Sequence, residues 1–144
     1  MTEPIRSLAA RYYTDPEVFR LENRGLLART WQFGCHSSEL PKIGDYVTFE
    51  IANESLFAIR GRDEKIRFFF NVCQHRAHQL VKGKGNTRVV VCPYHAWAYE
   101  LNGKLRTGPN INSVEGFNRN KICLKQVRSE EFLGFVFCRN LVNA

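Results

Sequence analysis

The chain has 144 residues, of which 44% are hydrophobic and 24% charged, and its formal net charge is +7. This length suffices for one domain that buries about two-thirds of its unfolded surface, and the composition excludes a disordered, collagen-like or coiled-coil chain. The longest apolar stretches are far below the roughly 18 residues of a membrane-spanning helix, and the first residues lack the apolar core of a secretory signal. We therefore expect a soluble, cytoplasmic single domain over residues 1–144, without a membrane partner.

The surplus of positive charge fits a nucleic acid, an acidic protein or an anionic ligand as partner, and it equally fits a solvated basic surface. The sequence contains no run of five like charges and no RNA-binding signature, so nucleic acid is not favoured. Four basic residues gather in one part of the chain, where they form either a docking patch for an acidic protein or a solvated face: Arg76, Lys82, Lys84 and Arg88.

One helix is predicted near the start. Thr14 and Glu17 have the spacing of a capping box, with Thr14 as the N-cap, and Pro16 in the first turn costs no helical hydrogen bond. This pattern predicts a helix over about residues 15–30, although Gly25 weakens its later turns. Four residues supply its apolar stripe: Val18, Leu21, Leu26 and Leu27.

From Trp31 onward the pattern changes to short β-type segments separated by turns. Residues 61–64 are typical of a hairpin connection, and Asn102-Gly103 is a strong turn signal. Six or more such segments predict a mostly β protein with the architecture of an antiparallel sandwich or small barrel. The predicted strands are residues 46–51, 55–60, 65–72, 88–92, 95–101, 122–127 and 132–137.

The chain has five cysteines, and an odd number without a secretory signal argues against a disulfide framework. Cys35, Cys123 and Cys138 lie among apolar neighbours, so we expect them to be buried free thiols. Cys73 and Cys92 differ from these three because each has a histidine at ligand spacing.

These two pairs form the pattern that carries chemistry. One residue separates Cys73 from His75, two residues separate Cys92 from His95, and sixteen residues lie between the pairs. Two thiolates and two imidazoles suit either zinc or an iron–sulfur cluster. Zinc sites usually space paired ligands by two to four residues, because all four converge on one ion. A two-iron cluster lets each loop give its cysteine to one iron and its histidine to the other, so the spacing favours a cluster over zinc.

Cys-x-His followed by Cys-x-x-His resembles the Rieske [2Fe–2S] signature. The whole chain resembles the amino-terminal Rieske domain of ring-hydroxylating oxygenase α subunits and their demethylase relatives. The variants CQHRAHQL and CPYHAW are similar to the branch that handles quaternary ammonium compounds, alongside aromatic acids. The resemblance is carried by RYYTDPEVF, TWQFGCHSSEL, PKIGDYVTFEI, FFFNVCQHRAHQL, CPYHAWAYELNGKL, VEGFN and LGFVFCRNL.

The resemblance implies a Rieske-type antiparallel β-sandwich or barrel with one amino-terminal helix and a cluster-binding part at about residues 71–109. One [2Fe–2S] cluster per chain would be held by Cys73 and Cys92 on a buried ferric iron, and by His75 and His95 on the outer, reducible iron. Four further residues are expected close around these ligands: Arg76, His78, Tyr94 and Trp97.

Four details bear on the cluster and its surroundings. The loops lack the extra cysteine pair of high-potential Rieske proteins, and Ala96 stands where those proteins have a serine, so we expect a low-potential centre. The family usually has glycine where Ala77 and Ala96 stand, and alanine would strain either position if its φ is positive. Tyr94, Trp97 and Tyr99 alternate after the second loop, where strand packing is preferred to an aromatic shield over the cluster. The segment around Pro109 resembles the one that covers the cluster in Rieske proteins, or is an ordinary turn.

The resemblance also implies partners. Electrons would come from a ferredoxin or a flavin reductase and pass to the mononuclear non-haem iron of a catalytic domain, in a parent protein that is a homotrimer. That iron needs two histidines and a carboxylate. Beyond the four ligands only His36 and His78 remain, and we expect a core or edge role for the first and a hydrogen-bonding role for the second. We therefore expect no catalytic residues here, the catalytic domain to be absent, and no hydroxylation by this chain alone.

Three functions stay open at this point. The chain is the Rieske domain of a terminal oxygenase, either excised or from a truncated gene; it is a free-standing Rieske ferredoxin; or it is a zinc-stabilised binding module. The ferredoxins of the family are shorter and lack the Tyr-Tyr-Thr-Asp-Pro helix, so residues 12–30 favour the oxygenase domain.

Overall fold

A short helical segment precedes the sheet. The computed structural model describes residues 7–139, so residues 1–6 and 140–144 of the predicted domain lie outside it. Helix α1 spans Arg11–Thr14, helix α2 spans Pro16–Glu22, and a π-helical turn continues over Asn23–Leu27. The helix predicted over residues 15–30 thus runs from residue 16 to residue 27. Among the helices that the model describes, none is long and apolar enough to cross a membrane.

The N-cap of α2 is Asp15, which corrects the prediction of Thr14. Asp15 is extended (φ −83°, ψ 118°), and its side chain accepts a 2.9 Å hydrogen bond from the backbone N–H of Glu17. Proline disfavours helical geometry at the residue before it, so Pro16 makes Asp15 the last non-helical residue. The Thr14 hydroxyl donates instead to the carbonyl of Ala10 at 3.2 Å.

The predicted apolar stripe is wrong in part, since Val18 and Leu27 are half-buried but Leu21 and Leu26 are exposed. Leu21 and Leu26 are 63% and 53% exposed, and α2 buries none of its residues against the rest of the described chain. Asn23 and Ala28, which follow α2, are the buried residues of this region.

Ten strands form in residues 7–139, and every pairing between them is antiparallel, so the mostly β fold is confirmed. Seven strands make one sheet in the order β1-β10-β9-β4-β3-β2-β5, and three make a second sheet in the order β6-β7-β8. The strands are β1 (Gln32–His36), β2 (Asp45–Ile51), β3 (Glu54–Arg60), β4 (Ile66–Phe70), β5 (Lys84–Asn86), β6 (Val90–Val91), β7 (Ala98–Tyr99), β8 (Leu105–Thr107), β9 (Gln126–Phe132) and β10 (Phe135–Arg139).

The predicted strands agree best in the meander β2-β3-β4, and the hairpin connection at residues 61–64 is closed by a bond from the N–H of Gly61 to the carbonyl of Lys65. The segments predicted at 88–92 and 95–101 shrink to the two-residue strands β6 and β7, because the chain between them turns back on itself. Exposed strand β5, which pairs with β2, was not predicted from its glycine-containing sequence. The last two predicted strands lie two to five residues too early along the chain.

Strand β3 lies between two hydrophobic cores. Its residues alternate, with Leu56 and Ala58 in one core and Phe57 and Ile59 in the other, and all four are completely buried. The core that contains Phe57 also contains both predicted cysteine ligands, so we call it the ligand core. The seven-stranded sheet therefore packs, through β3, against the core that contains the candidate site.

The side chain of Asn71, which follows β4, is hydrogen-bonded to the chain that comes after the first ligand loop. It is 3% exposed, its side-chain oxygen accepts from the N–H groups of Leu80 (3.1 Å) and Val81 (3.0 Å), and its amide donates to the carbonyl of Val81 (2.8 Å). These bonds close the chain around Cys73 on both sides of the loop.

Asn71→Ala is expected to destabilise the fold by about 2–4 kcal/mol, because it leaves two backbone N–H groups and a carbonyl without their partner. Thermal and urea unfolding would measure the change in the free energy of unfolding. Asn120→Ala is the matched control: Asn120 is exposed, and the same substitution there should change the free energy by less than about 0.5 kcal/mol. Equal effects of the two variants would contradict this structural role of Asn71.

Candidate metal centre

The two ligand loops share one backbone frame. In the first loop the N–H of Cys73 donates to the carbonyl of His78 (2.8 Å), and the N–H of Ala77 donates to the carbonyl of Cys73 (3.0 Å). The second loop repeats this pattern from Cys92 to the carbonyl of Trp97 (2.8 Å) and from Ala96 to Cys92 (3.0 Å). Each loop is thus closed by two bonds at the same offsets from its cysteine, although its histidine stands at a different offset.

The alanine of each frame has left-handed backbone geometry. The φ angle is 51° at Ala77 and 54° at Ala96, so both positions meet the condition under which alanine was expected to cause strain. This conformation is about 1–2 kcal/mol less favourable for a residue with a β-carbon, whereas glycine adopts it freely. Both alanines are exposed, so packing of the methyl group gives little compensation.

The two thiols lie at the bottom of the loops. Cys73 is 3% exposed and Cys92 is 2% exposed, and both belong to the ligand core. Burial, together with the neighbouring Cys92 thiol, raises the pKa of Cys73. The Tyr99 hydroxyl and the backbone N–H of His75 act in the opposite direction, because hydrogen bonds to the sulfur favour the thiolate.

Tyr99 connects the second sheet to the first ligand loop. Its side chain is fully buried, and its hydroxyl oxygen accepts from the N–H of Gln74 (3.0 Å) and lies 3.2 Å from the sulfur of Cys73. Burial raises the pKa of the Tyr99 hydroxyl above its ordinary value, so the hydroxyl stays protonated and can donate a hydrogen bond to the sulfur. The sequence offered one signal for this role, since a tyrosine at a buried strand position needs a hydrogen-bond partner, but Tyr99 was assigned only to packing.

The two imidazoles lie above the thiols. The rings of His75 and His95 are 4.9 Å apart between centroids and nearly perpendicular, and His75 is exposed while His95 is half-buried. The Nδ1 atom of His95 is buried without a hydrogen-bond partner in the part of the chain that the structure describes. A buried ring nitrogen of this kind calls for an explanation, and a metal ion bound to it would supply one.

The electrostatics of His95 favour the neutral ring. Burial lowers its pKa, and the positive charges of His75, Arg76 and His78 lower it further. Neutral imidazole is the form that binds metals, so the surroundings of His95 are compatible with ligation.

The four residues expected around the ligands do not form one shell. Trp97 is 8% exposed and stacks on His75, with ring centroids 4.7 Å apart and planes at 13°. Tyr94 is 52% exposed and lies against His95, at 3.7 Å between centroids. Arg76 and His78 contact the same tyrosine, at 5.8 and 5.4 Å. Of the three alternating aromatic residues, Trp97 and Tyr99 pack in the ligand core, whereas Tyr94 does not.

A groove of about 790 Å³ runs beside the second loop. One wall is formed by residues 91–97 together with His75, and the other by the segment after β8. The second wall consists of Pro109, Asn110, Ile111, Val114 and Phe117. The proline-containing segment therefore lies next to the ligand loops.

The remaining histidines lie apart from the pair above the thiols. His36 ends edge strand β1, and its Nδ1 atom lies 2.7 Å from the hydroxyl of Ser38, which agrees with the expected edge role. His78 closes the first loop through its backbone carbonyl, and its Nδ1 atom lies 2.7 Å from the carbonyl of Gln79.

Two of the three remaining cysteines are buried as expected. Cys35 is 1% exposed and Cys138 is fully buried, and burial raises their thiol pKa values to about 12 and about 11. Cys123 is exposed, so that part of the prediction was wrong. Its neighbour Leu124 is buried, and residues that alternate along an extended chain point to opposite sides.

The four basic residues predicted to gather near the loops are all exposed. Lys84 forms an ion pair with Glu39, and Arg76 lies over the ring of Tyr94. Their exposure is compatible with either of the two interpretations, a docking patch or a solvated face.

The donor set suits a binuclear cluster better than a single ion. A structural zinc ion requires four donors on one atom. The two buried thiols and the two more exposed imidazoles divide the donors into two pairs, which is the division that a cluster with two cysteines on one iron and two histidines on the other requires.

Comparisons with known proteins agree with this geometry. The model of the Rieske [2Fe-2S] domain matches residues 30–118. The carnitine monooxygenase oxygenase subunit of Escherichia coli (strain K12) is 46% identical over 139 residues, which are 96% of this chain and 37% of that protein. The large oxygenase component of the naphthalene 1,2-dioxygenase system of Pseudomonas fluorescens is 41% identical over 127 residues, which are 85% of this chain and 28% of that protein.

Solved structures give the same picture. The quaternary ammonium Rieske monooxygenase CntA in complex with gamma-butyrobetaine superposes with a TM-score of 0.86 at 37% identity, over 96% of this chain and 40% of that chain. Naphthalene 1,2-dioxygenase from Rhodococcus sp. superposes with a TM-score of 0.85 at 30% identity, over 91% and 31%. The chain therefore spans well under half the length of these relatives.

Ala77→Gly and Ala96→Gly are each expected to stabilise the fold, by about 0.5–1 kcal/mol, because the relief of left-handed strain exceeds the entropy that glycine adds to the unfolded chain. The free energy of unfolding measured in urea would show the gain. Ala98→Gly in β7 is the control: its φ is not positive, and the same substitution there should destabilise the protein. A loss of stability at all three positions would contradict the strain.

Proposed function

The chain belongs to the Rieske [2Fe-2S] domain family, and on that premise we propose that it transfers electrons through one [2Fe–2S] cluster held by Cys73, His75, Cys92 and His95. When bound, the cluster accepts and releases one electron at a time. The proposal treats residues 1–144 as one domain, with the cluster-binding part at about residues 71–109.

The observation that carries the ligand assignment is the difference in burial between the two thiols and the two imidazoles. The thiols of Cys73 and Cys92 are buried in the ligand core, while the imidazoles of His75 and His95 lie above them towards solvent. This difference supports cysteine ligation of a buried iron and histidine ligation of an outer iron. The unpartnered, buried Nδ1 atom of His95 supports the same assignment.

The protein's own groups tune and protect this site. The Tyr99 hydroxyl and the backbone N–H of His75 direct positive dipoles at the sulfur of Cys73, which stabilises negative charge there. The buried rings of Trp97 and Tyr99 keep water from the thiol side. The exposed edge of His75 leaves the imidazole side open, so an electron-transfer partner can approach it.

The potential is proposed to lie towards the low end of the Rieske range, about −150 to +300 mV. Ala96 brings no hydroxyl to the cluster, and all five cysteines are free thiols, so no loop disulfide is present. The Tyr99 hydroxyl acts in the opposite direction and raises the potential above that of a site without either hydroxyl.

The proposed physiological role is that of the electron-accepting domain of a terminal oxygenase. The relatives include oxygenase subunits of a carnitine monooxygenase and of a naphthalene dioxygenase system, and the helical segment before the sheet distinguishes the chain from the shorter Rieske ferredoxins. The donor would be a ferredoxin or a flavin reductase, and the acceptor the mononuclear iron of a catalytic domain. Because the domain is shared by oxygenases with such different substrates, the proposal is confined to electron transfer.

Assembly and location complete the proposal. One solved relative is described as revealing inter-subunit electron transfer, which supports an assembly in which the cluster of one subunit serves the iron of the next. The homotrimer is proposed from the family resemblance. A cytoplasmic location is proposed because thiols that must stay reduced to bind iron persist in a reducing compartment.

Electron paramagnetic resonance of the dithionite-reduced protein tests the proposal, with iron and acid-labile sulfide measured on the same sample. We expect two irons and two sulfides per chain and a rhombic signal whose average g value lies below that of all-cysteine clusters. A colourless sample with one zinc per chain would overturn the proposal.

Cys92→Ser provides the matched variant of this test. We expect loss of the cluster and of most of the folded population, because the metal site and the fold are coupled. Cys123→Ser is the control, since Cys123 is exposed and lies outside both loops, and it should retain normal iron and a normal melting curve. Normal iron in Cys92→Ser would refute the assignment of Cys92.

Tyr99→Phe is expected to lower the midpoint potential by about 40 mV, which corresponds to about 1 kcal/mol for a one-electron couple. The reason is that the hydroxyl donates to the sulfur of Cys73 and stabilises the more negative, reduced state. Potentiometric titration followed by electron paramagnetic resonance would measure the shift. Tyr46→Phe is the control, because Tyr46 packs against the ligand core without contacting a sulfur, and its potential should not change. An unchanged potential in Tyr99→Phe would contradict the hydrogen bond.

A further inference from the structure

Trp97 is the buried support of an exposed imidazole. Its ring lies parallel to that of His75, with centroids 4.7 Å apart and planes at 13°, and Phe117 contacts it edge-on at 5.9 Å. Trp97 is 8% exposed, whereas His75 is exposed. Within residues 7–139, the side chain of His75 makes no hydrogen bond. The stack on Trp97 and the nearly perpendicular contact with His95, itself a proposed ligand, are therefore the contacts available to orient this ring.

Gly108 confines the indole from the other wall of the groove. A β-carbon at Gly108 would lie 2.6 Å from Cδ1 and 2.9 Å from Nε1 of Trp97, which is closer than side chains approach one another. The φ angle of Gly108 is not in the left-handed region, so the backbone conformation does not require glycine there. The close approach to the indole does require it.

We propose that Trp97, held in place by the close approach of Gly108, is a positioning residue that sets the orientation of the His75 imidazole. The proposal rests on the proposed function, in which His75 is a ligand of the outer iron. The orientation of a ligating imidazole affects the electronic structure of its metal, and contacts outside the ligands fix that orientation. The segment after β8 therefore acts on the metal centre through Trp97, without contributing a ligand.

The two contacts predict a specific pattern among four variants of the full chain loaded with its cluster. Trp97→Phe keeps an aromatic face for His75, so its g values should match those of the wild type. Trp97→Leu removes the stack and should shift the g values and the midpoint potential. Gly108→Ala should shift them as well, because its methyl group displaces the indole. In the double variant Trp97→Leu/Gly108→Ala, which has no ring for the methyl group to displace, the alanine should cause no further shift.

Cluster stability gives a second readout. We expect the rate of iron loss to a chelator to rise about two- to tenfold in Trp97→Leu and Gly108→Ala, a range that corresponds to the free energy of one aromatic pair. The double variant should lose iron no faster than Trp97→Leu alone.

Phe57→Leu separates positioning from simple packing. Phe57 is completely buried in the same ligand core and, unlike Trp97, does not stack on His75. This variant should lower the melting temperature but leave the g values and the potential unchanged.

Several outcomes would overturn the proposal. One is a normal spectrum and potential in Trp97→Leu at normal iron content. A further shift of the double variant beyond that of Trp97→Leu would refute a route through Trp97. If Trp97→Leu fails to fold, Gly108→Ala decides, and an unchanged spectrum and potential in that variant would refute the same route. The absence of any cluster signal in the wild type would overturn the proposed function and this inference with it, whereas a normal wild-type signal with unshifted variants would overturn the inference alone.

Discussion

The burial of two thiols beneath two imidazoles is the constraint on which the rest of this structure depends. Cys73 and Cys92 can lie in a hydrophobic core only because the loops that carry them turn sharply and return their following residues to the surface. Burial without a partner raises the pKa of a thiol and disfavours the thiolate. A metal bound to the sulfurs reverses that balance, so the ligand core and the proposed cluster stabilise each other.

Both loops meet this constraint with the same backbone frame. In each, the cysteine N–H donates to a carbonyl five residues later, and the cysteine carbonyl accepts from an alanine four residues later. The frame needs left-handed geometry at its fourth step, which Ala77 and Ala96 adopt at an energetic cost. Because the frame is shared, the extra residue between Cys92 and His95 changes where the histidine stands in the loop but leaves the closure of the loop unchanged.

The contacts around the loops divide the site into a sealed side and an open side. Tyr99 and Trp97 seal the lower side, and each carries a specific contact, the first to a sulfur and the second to an imidazole. Tyr94 and Arg76 lie on the exposed side. A one-electron carrier needs such a division, because water must be kept from the metal while a protein partner approaches it.

The sequence alone determined the mostly β fold and the family, and it predicted the ligand set. Cys-x-His and Cys-x-x-His are local patterns, and their chemistry follows from residue type and spacing. The central strands were predictable because β3 contains the apolar run Leu56–Ile59 and its neighbours alternate or are apolar at their ends. Strand β5 was not predictable, and the strands beside the ligand loops were predicted too long, because backbone pairing with other segments decides their extent. The cap at Asp15 was misassigned because two adjacent residues had suitable side chains, and only the backbone geometry imposed by Pro16 selects one.

Only the tertiary structure decided the contacts that tune the site. Tyr99 meets Cys73 across 26 positions of the chain, and Gly108 meets Trp97 because the segment after β8 folds back over the second loop. Likewise, whether Ala77 and Ala96 take positive φ angles depends on the closure of each loop. A local pattern can specify which atoms bind a metal. The distances and orientations around those atoms depend on which remote segments pack together, and no spacing along the chain encodes that directly.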